Sequence, residues 1–363
     1  MRTSSENLDA SMRSRLAGTR IIDQLAVLSP AYFGMVMATG IVSLAAYLLG
    51  MPFIANVLFQ FNMIVYVALC FLSVLHMVLY PRRFFGNIID HVRGPGYFTV
   101  VAATGILGGQ FLILATDYQV SFVLWVIALL FWIVLTYAIF TGLTVTAKKP
   151  ALDKGISGAW LLAVVATQSI AALSALLATH VKPSLMLEVN FLALTMWLWG
   201  GMLYVWMMAL IFYRCVFFPL SPDDLSPSYW INMGAMAIST LAGSLLIANA
   251  SDAPLLVSLL PFIKGVTVLY WAAGTWWIPI LVMLGIWRYV YKRHPVKYDP
   301  LYWSVVFPLG MYTVSTDRMS AVMELDFLAL LPTSFFYIAL VAWSIAFIGF
   351  VFDLLRRIGI LRL

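Results

Sequence analysis

The constraint that most limits this chain is a series of apolar runs, each close to the length that crosses a bilayer. Ten runs can be drawn, at 30–50, 56–79, 95–116, 120–146, 158–179, 190–213, 229–249, 265–288, 301–316 and 327–352. A helix rises about 1.5 Å per residue, so about 20 residues cover the roughly 30 Å of hydrocarbon. The ninth run reaches that length only if it extends past Thr316. Composition agrees: 63% of the residues are hydrophobic and 10% charged, against about 45–50% and about 25% in soluble domains. The expected fold is an all-α polytopic membrane protein with ten transmembrane helices. Residues 1–28 would form an N-terminal tail, 29–356 the membrane domain and 357–363 a C-terminal tail.

The net charge of +6 does not point to nucleic acid, because the basic residues lie between apolar runs. They report topology instead. With ten crossings, 18 of the 21 Lys and Arg fall on the side that holds both termini, the exceptions being Lys182, Lys264 and Arg318. Basic loops stay in the cytoplasm, so both termini are expected there, in a cell or inner membrane. The tail carries Arg2, Arg13, Arg15 and Arg20 and no continuous apolar core before a cleavage site. It is not read as a cleaved signal peptide. An interfacial helix and an unstructured tail both suit its composition.

The odd runs start near Pro30, Pro95, Gly158, Tyr229 and Leu301, at intervals of 65, 63, 71 and 72 residues. That period reads as five helical hairpins. The odd runs are the richer in glycine, whereas the even runs hold 10 of the 13 tryptophans. Small residues let backbones approach closely, and tryptophan favours the lipid interface. The expected arrangement is five odd helices as an inner pore ring within five even ones, with lipid outside.

Within the ninth run, Leu301–Thr316, Pro308 and Gly310 are expected to break the helix. Proline removes a backbone hydrogen bond and clashes with the carbonyl four residues back. In lipid such a break survives only where protein or a water-filled cavity receives the freed groups. Phe307 is therefore expected to face whatever the chain encloses, as a bulky uncharged gate. Gly40, Gly105 and Gly234 join Pro308 and Gly310 as residues expected to shape the pathway, although close helix packing explains glycine equally well.

No Asp, Glu, Lys or Arg lies well inside a run, which argues against a side-chain proton relay. Thr39, Ser43, Thr104, Gln168, Asn232, Ser239 and Ser304 are the candidate pore-lining polar groups, with helix–helix hydrogen bonding as the competing reading. Cys70 and Cys215 are far apart, and the four histidines lack metal-ligand spacing. No catalytic residue, metal site or cofactor is expected. The excess of basic groups at one mouth and the missing acidic ring favour anions over cations.

Ser-Pro-Ala-Tyr-Phe-Gly-Met-Val-Met-Ala-Thr-Gly-Ile, Ser29 to Ile41, resembles the first helix of the tellurite-resistance/dicarboxylate transporter family. Tyr302-Trp303-Ser304-Val305-Val306-Phe307-Pro308-Leu309 resembles its ninth. That family holds slow anion channels, malate permeases and sulfite efflux pumps. The resemblance implies a ten-helix, five-hairpin pore, commonly a homotrimer, that moves small inorganic or dicarboxylate anions. It implies that the family's gating phenylalanine falls on Phe307. Only about 28 residues precede the first run, so the long phosphorylated tails of the plant members, and kinase control through them, are not expected.

Three functions are open at this level. The first is an anion channel or facilitator gated by Phe307. The second is a coupled carrier, for C4-dicarboxylates such as malate or for sulfite or tellurite efflux, with the proton carried on the substrate. The third, a membrane enzyme, would need clustered acids, bases or metal ligands at membrane depth, and none occurs in the runs.

Overall fold

A computed structural model describes residues 25–296 and 298–358. Nearly all of the expected N-terminal tail and residues 359–363 of the C-terminal tail lie outside them. Ten long helices follow in order: α1 Phe33–Leu48, α2 Pro52–Leu79, α3 Phe98–Leu114, α4 Tyr118–Val145, α5 Leu162–Ala178, α6 Pro183–Phe217, α7 Ile231–Ala248, α8 Pro254–Ile286, α9 Trp303–Met323 and α10 Leu330–Ile358. A short amphipathic helix, Pro81–Ile88, follows α2.

Each odd helix is entered through a 3-10 turn, at Pro30–Tyr32, Gly94–Tyr97, Gly158–Leu161, Pro227–Trp230 and Pro300–Tyr302. Local chemistry sets these entries. Ser29, Ser157 and Asp299 cap the exposed amides with their side-chain oxygens, and proline opens most of the turns, where its missing N–H costs nothing. The even helices α2, α6 and α8 also start on proline, whereas Asp117 caps α4 through Val120 N at 3.0 Å.

The odd helices touch one another in a closed cycle: α1 on α3, α3 on α5, α5 on α7, α7 on α9, and α9 back on α1. Their entry turns meet in the same cyclic order. Each even helix covers the junction between two successive odd ones. Burial divides accordingly. The apolar cores of α1, α3, α5 and α7, taken with their entry turns, are 78–94% buried, whereas those of α2, α4, α8 and α10 are 17–22% buried. Side chains such as Phe71, Ile64, Val134, Trp276 and Ile345 are left exposed. Apolar surface on that scale belongs in lipid.

Among the described residues, nine helices are long and apolar enough to cross a membrane. The chain is an all-α polytopic membrane protein. The expected ninth crossing corresponds to α9, which is outside that set. At 21 residues it is long enough, but it runs on past Thr316 through Asp317 and Arg318, whose charges dilute it. The expected break is also corrected. α9 continues through Pro308 as one helix. Pro308 lies in its second turn and removes the single bond its N–H would have made to the Ser304 carbonyl.

Polar contacts tie one end of the bundle together. Arg83 Nη1 donates to the Ala26 carbonyl at 3.4 Å, Trp160 Nε1 to His91 O at 3.1 Å, and Arg214 Nε to Asp153 O at 3.1 Å. Arg288 Nη1 donates to Leu225 O, and His294 Nε2 meets Asp223 Oδ1 at 2.8 Å. These contacts knit together the basic loops before α1, α3, α5, α7 and α9.

Candidate functional site

The register of α9 is set by its contacts. A Cβ built on Gly234 of α7 would lie 2.7 Å from Pro308 Cγ, so Pro308 faces α7. A Cβ on Gly310 would lie 2.9 Å from Ile41 Cγ2 and 3.3 Å from Val42 Cγ2, so Gly310 faces α1. Tyr312 bonds Thr275 of α8 at 2.9 Å, and Thr316 accepts from Trp271 of α8 at 3.0 Å. Those two residues face the outer layer. At about 100° per residue, Phe307 lies between the α7 and α1 directions and roughly opposite the outer one. Its side chain, 1% exposed, therefore faces the interior of the cycle.

Met311, Val314 and Arg318 follow Phe307 at i+4, i+7 and i+11 and share its face. Ser304 precedes it by one turn on that side and is partly buried. Sequence reasoning did not single out Met311, Val314 and Arg318. The helical spacing from Phe307 was the signal that would have found them.

The glycines sit at helix junctions. A Cβ on Gly40 would come within 2.7 Å of Ile106 Cγ2 in α3, and one on Gly105 within 3.1 Å of Ser169 in α5. With Gly234 and Gly310, these residues bring consecutive odd helices together. Of the two sequence-level readings of glycine, close approach describes these four.

Most candidate polar groups are engaged by neighbouring helices. Tyr66 of α2 bonds Thr104 Oγ1 of α3 at 2.8 Å, and Trp132 of α4 donates to Thr167 Oγ1 of α5 at 2.8 Å. Trp197 of α6 donates to the Ser239 carbonyl of α7 at 2.8 Å, and Trp271 of α8 to Thr316 of α9. Trp343 of α10 donates to Thr39 Oγ1 of α1 at 2.9 Å, which closes the series. Each even helix thus offers at least one aromatic hydrogen-bonding partner to the next odd helix, and α4 offers a second, Trp125 Nε1 donating to Ser174 Oγ at 2.8 Å. Thr39 and Thr104 are turned to the outer layer by these bonds, which replaces their expected place in the pathway.

Ser43 Oγ donates to Ala55 O of α2 at 2.8 Å, and Ser239 Oγ to its own helix at Ala235 O. Gln168 Nε2 donates to Trp197 O at 3.0 Å while its Oε1 stays unpaired. Asn232 is 1% exposed, and both its amide atoms are unpaired. It shares a face of α7 with Met236, Ser239 and Gly243, which abut Gly274, Trp197 and Thr267 of the outer helices. Of the seven candidates, Ser304 alone shares the side of Phe307.

At the basic end, Arg214 is 2% exposed and reaches Asp224 Oδ1 at 3.4 Å, with Lys154 at 4.0 Å from the same oxygen. Hydrogen bonds from the Ser221 side chain and backbone hold the Asp224 carboxyl below its usual range, and Arg214 and Lys154 add to this. At the opposite end a cavity of about 410 Å³ lies between α9, α1 and α10, lined by Asp317, Glu324 and Asp326 with Leu49, Ala329 and Pro332. Among the described residues no group of three His, Cys, Asp or Glu is placed to hold a metal ion.

The chain is 23% identical to an uncharacterized transporter of Methanocaldococcus jannaschii over 88% of this chain and 92% of that one. It is 23% identical to a sulfite efflux pump of Arthroderma otae over 88% of each. It is 40% identical to an uncharacterized membrane protein of Mycobacterium tuberculosis over 43% of this chain and 79% of that one. The family model described as SLAC1, voltage-dependent anion channel, matches residues 27–351, and the chain belongs to that family of anion-transporting membrane proteins, which includes dicarboxylate and sulfite-efflux relatives.

Proposed function

We propose that the protein passes small anions through the space enclosed by α1, α3, α5, α7 and α9, as a channel or facilitator that Phe307 occludes at rest. In this reading the chain is five hairpins, with the odd helices as an inner pore ring and the even helices as an outer ring against lipid. The observation that carries it is the register of α9. On the Phe307 side of α9 the next two turns present Met311 and Val314, so along this helix a passing anion sheds water without a string of hydroxyls to replace it. A benzyl ring across such a passage excludes water and ions together. Ser304 lies on the basic side of the ring and offers one hydroxyl there. The basic loops concentrate anions at that mouth, an effect that extends about 8–10 Å into physiological salt. Both termini lie in the cytoplasm of a cell or inner membrane, and the protein assembles as a homotrimer.

The test is anion flux into liposomes holding purified protein. Phe307→Ala is expected to raise chloride and nitrate flux about tenfold or more per folded protein, while losing stability as a buried large-to-small change does, by up to about 3–5 kcal/mol. A correctly folded Phe307→Ala protein whose flux matches the parent's refutes the gate.

A second reading, a coupled carrier for sulfite or a C4-dicarboxylate such as malate, draws on the likeness to the sulfite efflux pump. The side of α9 that bears Phe307 carries no carboxylate or imidazole from Ser304 to Arg318. The proton of such a carrier would ride on the substrate. Flux that tracks the protonated substrate across pH, without resolvable single-channel current, selects the carrier.

A further inference from the structure

Three basic residues stand apart from the cytoplasmic set: Lys182, Lys264 and Arg318. Lys182 and Lys264 are exposed on or beside the outer helices α6 and α8. Arg318 is different, being partly buried near the end of the inner helix α9, eleven residues after Phe307. Eleven residues are close to three full turns, so the two side chains leave α9 within about 20° of each other. They are about 16 Å apart along the axis at about 1.5 Å per residue. Val314 and Met311, both nearly fully buried, fill the turns between them.

The neighbouring acids leave α9 in other directions, although the Asp317 carboxyl remains within reach of the Arg318 charge. Asp317 precedes Arg318 and so points about 100° away. It lines the cavity between α9, α1 and α10 together with Glu324 and Asp326. Among the described residues, Arg318 forms no ion pair with a carboxylate. Its charge acts on the adjacent Asp317 carboxyl without a contact as short as an ion pair, and a partly buried guanidinium left in that state still has donors free for an anionic oxygen.

We propose that Arg318 is an anion-binding residue at the mouth opposite the basic loops, holding a small anion in line with Phe307. The planar fork of the guanidinium pairs with two oxygens at once, so the site favours oxyanions such as nitrate or a carboxylate over spherical chloride. The proposal rests on the pathway reading above. It adds that the far mouth carries one cationic station of its own, and that this station tunes selectivity.

The experiment uses the full-length protein in liposomes, with nitrate and chloride supplied at the Arg318 end. Arg318→Gln is expected to raise the half-saturating nitrate concentration about three- to tenfold, in keeping with loss of one focusing charge. Arg318→Lys is expected to keep chloride flux while lowering the nitrate-to-chloride ratio. Both are repeated in a Phe307→Ala background. If Phe307→Ala raises flux and Arg318→Gln leaves the half-saturating concentrations unchanged, the anion station is refuted while the pathway stands. If Phe307→Ala itself changes nothing, the pathway reading fails first. Equal loss of nitrate and chloride flux with a lowered melting temperature in both Arg318 variants assigns the residue a structural role and also overturns the proposal.

Discussion

Adding one methyl group at Gly234 tests the α7–α9 contact that sets the register of Phe307. A Cβ there would stand 2.7 Å from Pro308 Cγ, 3.0 Å from its Cβ and 3.3 Å from its Cα. Carbon atoms pack at about 3.5–4.0 Å, so α9 must retreat by about 1 Å. The proline ring cannot rotate away as a flexible side chain would. Overpacking of this kind costs about 1–3 kcal/mol, and the gain in helix propensity from glycine to alanine, about 1 kcal/mol, works against it. The control is Gly265 of α8, where an added Cβ meets nothing within 4 Å. Gly265→Ala should stabilise by about 0.5–1 kcal/mol through backbone entropy alone. The readout is the difference between the two variants in thermal unfolding of purified protein in detergent, expected to be about 1–3 kcal/mol in favour of Gly265→Ala. Pro308→Ala removes Cγ and should recover part of the loss in the double variant, because neighbours in contact couple by about 0.5–3 kcal/mol. Gly234→Ala at least as stable as Gly265→Ala would falsify the close approach, and with it the inward placement of Phe307.

Other outcomes follow from the same geometry. Trp343→Phe deletes the donor to Thr39 and should lower stability by about 0.5–1.5 kcal/mol. Thr39→Val should do much the same, and the double variant should lose little more, since both remove one bond; clearly additive losses in unfolding would contradict this. Asp224→Asn leaves the buried Arg214 without its carboxylate and should destabilise by a margin a melting curve resolves easily. The pH dependence has a definite sign. The folded Asp224 pKa is held below the ordinary carboxylate value, first by Ser221, so its stabilisation is complete above about pH 4 and is lost as pH falls through the folded value. The parent should therefore lose stability on acidification below about pH 4 more steeply than Asp224→Asn, and parallel acid titrations of the two would refute that assignment.

The positions of the helix starts were legible in the sequence, because proline, glycine and the onset of apolar runs mark them well. Pro30, Pro95 and Leu301 fall within a residue of the 3-10 turns that open α1, α3 and α9. Rotation of each helix about its own axis was not legible. Thr39, Thr104 and Asn232 are polar and lie in buried helices, but polarity alone does not say which neighbour they face. Only the aromatic partners on the preceding even helix of the cycle decide that for Thr39 and Thr104. The end of α9 was missed because Asp317 and Arg318 read as an interface. In the fold, the first faces a water-accessible cavity and the second the enclosed side, so the helix carries both charges for two further turns. The continuity of α9 through Pro308 depends on Gly234, a residue 74 positions earlier whose missing side chain makes room for the proline ring.

The hydrogen bond from Trp343 to Thr39 joins residues 304 positions apart. A ribosome making this chain finishes the other aromatic tethers before this one has a donor. Until α10 is inserted, α9 meets α1 directly, with Gly310 against Ile41 and Val42, and that seam lacks the covering helix the other seams already have. Contacts of such long sequence separation form late and slowly. The last seam to be covered is therefore the one between the first and the ninth helix, where the start of the chain waits longest for its partner.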